Sequence, residues 1–234
     1  MRKEPFTVGS YVHVIKRGAR GLSVVRDDDD RWRFMLMLKH FNDEYPPQDW
    51  FRDLMLENKS HTFIRPSIWP KQKKIVEILA YCLLDNHFHL LLREIKDGGI
   101  SEFMKKIGIG MSLHFNEKYG EHGSLFQGAY KARTIDSDQY LNYVAMYIMV
   151  KNAFDIRRGG PEKAAKEFEK AYEWAVKYPY TSLGEYVGNR NSGILDRGIL
   201  AEKFCDEKEL KIFARDFVAG KYADVFYELD SSFD

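Results

Sequence analysis

The stretch DNHFHLLL, residues 85–92, places two histidines one residue apart inside an apolar run. Side chains at i and i+2 of a strand leave the same face, about 6 to 7 Å apart. His87 and His89 therefore project together, and Phe88 points the other way into a core. KIVEILAYCLL (74–84) reads as a second apolar strand, and Asp85-Asn86 between the two suits a tight hairpin turn. Two imidazoles so placed can reach one divalent ion between them. By spacing alone they also read as a pair of satisfied structural histidines, since histidine is commonly half-buried.

Outward from this hairpin, the chain alternates strands and helices. GSYVHVIKRG (9–18) starts as a strand, with Tyr11, His13 and Ile15 alternating against Val12, Val14 and Lys16, and ends in the basic, turn-like Arg17-Gly18-Ala19-Arg20. Asp27 to Asp30 can cap a helix carrying Trp32, Phe34, Met35 and Leu38, and the four carboxylates read as its solvated start. Residues 42–73, with Pro46, Pro47, Pro66 and Pro70, read as a long packed loop with a short helix around 48–57. Phe103, Ile107, Met111 and Phe115 recur at four-residue spacing and predict a helix over 99–120, with Ser101 as its N-cap and Gly120 at its end. SLFQGAYKARTI (124–135) reads as another strand, with Lys131 and Arg133 on one face. Ser137 or Asp138 then caps a helix through QYLNYVAMYIMVKN. A long helix over 162–177 follows Gly159-Gly160-Pro161, and shorter ones include one near 206–219. This order predicts an α+β fold, a ferredoxin-like antiparallel sheet backed by helices. The expected division is 1–158 for that domain and 159–234 for a C-terminal helical extension packed on it.

Composition sets the limits. The 234 residues are 44% hydrophobic and 30% charged, which suits a soluble globular chain. No apolar run reaches the length of a membrane span, and MRKEPFTVGS has no signal-peptide apolar region, so a cytoplasmic protein is expected. Two cysteines make no disulfide framework. The net charge of +1 hides an asymmetry, because residues 1–158 hold 25 Lys and Arg against 20 Asp and Glu, while the remainder is acidic. A weakly basic first part permits a nucleic-acid face without requiring one.

In the helix after residue 137, Tyr140, Tyr143 and Tyr147 share one face. They read as an aromatic stripe packed on the sheet, or as a source of one hydroxyl aimed at the histidine pair. A phenol is a possible covalent nucleophile, and its ordinary pKa near 10 means that it needs help, such as a metal polarising the group under attack.

His87-Phe88-His89 resembles the histidine–hydrophobic–histidine motif of the single-tyrosine HUH nucleases, and within them the IS200-like and REP-associated tyrosine transposases. The likeness extends over most of the chain. YVHVIKRG is similar to the family's first strand, AYCLLDNHFHLLL to its metal-binding hairpin, and HFNEKYGEHGSLFQGAYKARTI to its Phe-Gln-Gly segment. YLNYVAMYI is similar to the helix bearing the nucleophile, and YPYTSLGEYVG to a downstream Trp-Ser-Ser-Tyr region. The resemblance implies a metal-dependent nuclease and strand transferase acting on single-stranded DNA near hairpins through a 5′-phosphotyrosine. It assigns His87 and His89 as ligands to Mg²⁺ or Mn²⁺ and Tyr147 as nucleophile, with Tyr143 the alternative one turn away. Hard ions of this kind draw further oxygens from phosphate and water.

The chain departs from the family pattern just after Tyr147. The family places Asn or Gln four residues on, as a further ligand. Here Lys151 stands there and Asn152 is one late. One residue turns an α-helix by about 100°, so Asn152 reaches the metal face only through a π-bulge or a helix end. The alternative is that Lys151 partly replaces the ligand by setting positive charge on the scissile phosphate. Arg17, Lys131 and Arg133 are candidates for phosphate contacts, which position a strand without reading its sequence. Gln127, in the matched Phe-Gln-Gly segment, is a candidate for backbone or DNA contact. His13 matches a first-strand histidine of the family and reads as structural otherwise. Two further readings stay open: a catalytically impaired nucleic-acid-binding protein on the same fold, and a metal-dependent hydrolase without a covalent tyrosine. The resemblance to the REP-associated branch, which has a similarly longer C-terminal tail, implies a monomer, with a homodimer the alternative.

Overall fold

The structure, a computed structural model, describes residues 6–45 and 47–221. Pro46 of the proline-rich loop and residues 222–234 of the expected C-terminal extension lie outside them. Four strands form one antiparallel sheet in the order β2-β3-β1-β4: β1 (Tyr11–Arg17), β2 (Val76–Leu83), β3 (His87–Glu94) and β4 (Lys131–Ile135). Helix α1 (Asp28–His40) joins β1 towards β2, with the short α2 (Trp50–Leu56) in the intervening loop, and α3 (Gly99–Tyr119) joins β3 to β4. This is the split β-α-β arrangement expected for a ferredoxin-like fold.

Both faces of the sheet are covered, which is why its central strands are apolar almost throughout. Val12, Val14, Phe88, Leu90 and Leu92 meet α1 and α3 in one core. The opposite face, with Leu91, Ala80 and Cys82, meets α4 (Asp138–Met146), the π turn Tyr147–Lys151 and α5 (Asn152–Ile156). The same core takes in residues of α6 (Gly160–Lys166), α7 (Phe168–Lys177), α8 (Leu183–Tyr186), α9 (Gly198–Lys203) and α10 (Glu207–Val218). A bulge between Ile78 and Ala80 switches the parity of β2. Before it, even positions face the first core; after it, Tyr81 and Leu83 do so.

The segment after α7 closes the free edge of β2. Leu83 N–H donates to the Tyr180 carbonyl, Ser182 N–H to the Tyr81 carbonyl, and Thr181 bridges Cys82. Beneath it, the Tyr81 hydroxyl donates to the buried Glu185 carboxylate, which also accepts from Ser192. Among the described residues, no helix is long and apolar enough to cross a membrane.

Several local expectations need correction. Ser101 is not the N-cap of α3: the helix begins at Gly99, and the Glu94 carboxylate accepts from Gly98 N–H and Ile100 N–H in its place. The strand expected over 124–135 is confined to Lys131–Ile135, because the chain turns through Gly128, at φ +61°, after the isolated bridge of Phe126 to Gly18. The helix expected over 162–177 breaks at Glu167, whose φ of −109° and ψ of 42° are not helical. Nor are the four aspartates all solvated. Asp27 caps α1, but Asp30 is fully buried and accepts from Arg26 N–H, Tyr119, Lys118 and His114. These partners hold its pKa at about 2 against the burial that opposes them.

Candidate active site

The α4 face of the sheet gathers the histidines. In the β1–β3 register Ile15 pairs with His89 and Arg17 with His87, so His13, one pleat back, lies diagonal to His89. The His13 Nε2 to His89 Nδ1 distance is 2.9 Å, and the His87 and His89 ring centroids are 5.0 Å apart. His87 Nδ1 lies 2.6 Å from Asn86 Oδ1. An amide oxygen only accepts, so His87 carries its proton on Nδ1 and its lone pair on Nε2. Asn86 Nδ2 in turn donates to the Gly21 carbonyl, which fixes the amide the right way round.

The basic turn after β1 packs against this hairpin. Gly18 N–H donates to the Asn86 carbonyl and Gln127 N–H to the Arg17 carbonyl. Gly18 has ordinary φ, but a Cβ there would collide with the Leu22 carbonyl, so the close approach of two backbones requires the glycine.

Tyr147 closes the site from above. Its ring centroid lies 5.6 Å from that of His89 and 6.0 Å from that of His13. Tyr140, Tyr143 and Tyr147 form the expected stripe, stacked at 6.4 and 6.5 Å. Tyr143 packs on Phe217 of α10, and Tyr147 lies against the histidines.

The helix widens at this point into a π turn, and Asn152 N–H bonds the Tyr147 carbonyl. Thr181, from the segment along β2, donates to the Met149 carbonyl inside the turn. The wide turn carries Asn152 round towards the Tyr147 face, where its side chain is buried and its amide nitrogen lacks a hydrogen-bond partner among the described residues. Lys151 also stays on that face. Its ammonium is 3.5 Å from the Tyr147 hydroxyl, 4.6 Å from the ring centroid and 3.3 Å from Asp155.

Burial, then the charge of Arg133 across the β1–β4 pair, pushes His13 down to about 3. Burial also holds His89 well below the usual imidazole range, with His13, His87, Lys151 and Arg17 adding to it. Burial opposes the Lys151 ammonium, but Tyr147 and Asp155 outweigh it and raise its pKa. The site therefore holds neutral imidazoles beside a fixed cation.

Arg133 and Lys131 face this side of the sheet, opposite His13 and Ile15. Gln127 is exposed beside Arg17. Trp69 is a core residue, and Trp50 lines a cavity of about 660 Å³ with α1 and α3, on the other face of the sheet. The sequence alone missed the partnership of His13 with His89, which needs the strand register, and that of Asp155 with Lys151, which was visible as an i, i+4 pair.

Among the described residues, no group of three His, Cys, Asp or Glu is placed to hold a metal ion. The donor set fits a divalent cation only as two imidazoles and an amide. His87 presents Nε2, and Asn152 is a buried amide whose rotation would turn its oxygen into the unpartnered place.

Residues 52–151 match the family described as Transposase IS200 like. No curated protein matches the chain. A solved structure of a REP-associated tyrosine transposase bound to a REP hairpin is similar with a TM-score of 0.43 and 11% identity, over 80% of this chain and 84% of that one. The span 52–151 takes in the His-Phe-His strand, Tyr147 and Lys151, and over it the chain matches the IS200-like transposase family that its motifs resemble.

Proposed function

We propose that the protein cleaves and rejoins single-stranded DNA next to a hairpin, with Tyr147 as the nucleophile. The observation that supports this most is the convergence of Tyr147 on His89 and His13 across the sheet face, at 5.6 and 6.0 Å between rings. The Tyr147 hydroxyl gives up its proton to water as its oxygen attacks the scissile phosphorus. The bond from phosphorus to the 3′ oxygen breaks, the 3′ oxygen leaves with the electron pair and takes a proton from water, and a 5′-phosphotyrosine forms. Attack by another 3′-hydroxyl reverses these steps and joins strands. A bound Mn²⁺ or Mg²⁺ would polarise the phosphate and would be held by His87, His89 and Asn152.

The residues of the chain supply the rest. Lys151 sets its charge where the phenol ionises and where the phosphate gains negative charge, a contribution that grows towards the transition state. Arg17, Lys131 and Arg133 hold flanking phosphates on the same face, and Gln127 contacts the strand beside them. The protein acts as a monomer in the cytoplasm, its 1–158 domain doing the chemistry and Thr181, from the segment that follows it, supporting the π turn.

The test uses labelled single-stranded hairpins from DNA flanking the gene, with Mn²⁺ or EDTA, on a denaturing gel. A metal-dependent covalent adduct is expected, and its loss in Tyr147→Phe. Retention in Tyr147→Phe with loss in Tyr143→Phe moves the nucleophile one turn. Tight hairpin binding without an adduct supports the second reading, an impaired binding protein, for which Lys151 at the family's ligand position is the specific observation.

A further inference from the structure

We propose that His13 is the positioning residue of the metal pair: its Nε2 accepts the Nδ1 proton of His89 and so reserves the His89 Nε2 lone pair for a divalent cation. This rests on the metal-site reading above.

Two ring nitrogens 2.9 Å apart have room for one proton between them, so one donates and the other accepts. The choice follows from the neighbour. His87 has its proton on Nδ1, fixed by Asn86 Oδ1, and offers Nε2. The two histidines leave the same strand face with rings 5.0 Å apart, and with its Nδ1 turned to His13 at 2.9 Å, His89 can share an ion with His87 only through Nε2. That requires the His89 proton on Nδ1, and His13 is then the acceptor. Asn86 and His13 thus do the same work for the two ligands from opposite sides.

The burial of His13 points the same way. Only 3% of it is exposed, on a strand face where its neighbour Ile15 packs as a hydrophobe. An apolar residue would fill that place without desolvating an imidazole. The histidine is explained by the bond it makes.

The first measurement is the long-range ¹H–¹⁵N spectrum of the imidazoles in the metal-free full chain. His89 is expected to be pyrrole-type at Nδ1 and pyridine-type at Nε2. A pyridine-type Nδ1 on His89 overturns the proposal. The second is Mn²⁺ affinity by electron paramagnetic resonance. His13→Phe is expected to bind about 10- to 100-fold more weakly, and His13→Gln, whose amide oxygen also accepts, close to the parent. Equal affinity in His13→Phe, or no Mn²⁺ uptake by the parent, overturns it. If His13→Phe does not fold, the spectrum of the parent alone decides. Neither measurement uses DNA, so a missing adduct with these results intact refutes the nuclease reading and leaves the role of His13 standing.

Discussion

Replacing Lys151 with Met removes a charge while keeping most of the side chain's length. The ammonium sits 3.5 Å from the Tyr147 hydroxyl. At that separation, Coulomb's law gives about 5 kcal/mol against a full negative charge at an effective dielectric of ~20, and about 1 kcal/mol in bulk water. The Lys151 side chain is 41% exposed and shares its charge with Asp155, so the screened end applies, at about 1–2 kcal/mol. The phenol is neutral before reaction, so this interaction appears as charge develops and acts on the rate. Adduct formation in Lys151→Met is therefore expected to slow by about 5- to 30-fold. The assay is single-turnover formation of the covalent species on a hairpin substrate at saturating Mn²⁺, with hairpin affinity measured separately. Thermal stability should barely move, because an exposed i, i+4 pair contributes little. A rate within twofold of the parent would refute the electrostatic role. A faster Lys151→Gln with tighter Mn²⁺ binding would show that the lysine obstructs a ligand position instead.

Three stability predictions follow from the packing around the site. Thr181→Val leaves the Met149 carbonyl of the π turn without its donor, and chemical denaturation should show a loss of about 1–3 kcal/mol. Asp30→Asn removes a buried carboxylate held at about pKa 2, with an expected loss of roughly 2 kcal/mol at neutral pH. Because that pKa is depressed, its contribution is full above the unfolded value near 4 and fades as pH falls towards 2, so parent and variant should converge in acid titrations of stability. Arg20 is a non-glycine residue at φ +57°, and Arg20→Gly should raise the unfolding free energy by about 1 kcal/mol.

Much of this was legible in the chain because strand parity is strict. His87 and His89 share a face wherever the strand lies, and Phe88 must face the other core. The apolar spacing of α3 and the cap at Ser137 were equally local. The dilemma of Lys151 and Asn152 was also visible as a spacing fault. The π turn itself was not, and its Met149 carbonyl takes a hydrogen bond from Thr181, 32 residues downstream. His13 could not be joined to His89 without knowing that β1 lies between β3 and β4. Asp30 misled for the opposite reason: its neighbours Asp28 and Asp29 behave as a solvated helix start, and only the approach of Lys118, His114 and Tyr119 from α3 makes its burial tolerable. The break at Glu167 lies in a sequence of good helix formers and has no local signal.

The measurement that tests the central claim most directly is the location of the covalent bond. The adduct formed on a hairpin substrate with Mn²⁺ would be digested with protease and nuclease and sequenced by tandem mass spectrometry. A residual nucleotide joined through its 5′-phosphate to Tyr147 is expected. The same mass on Tyr143, or cleaved DNA with no modified tyrosine, would contradict it.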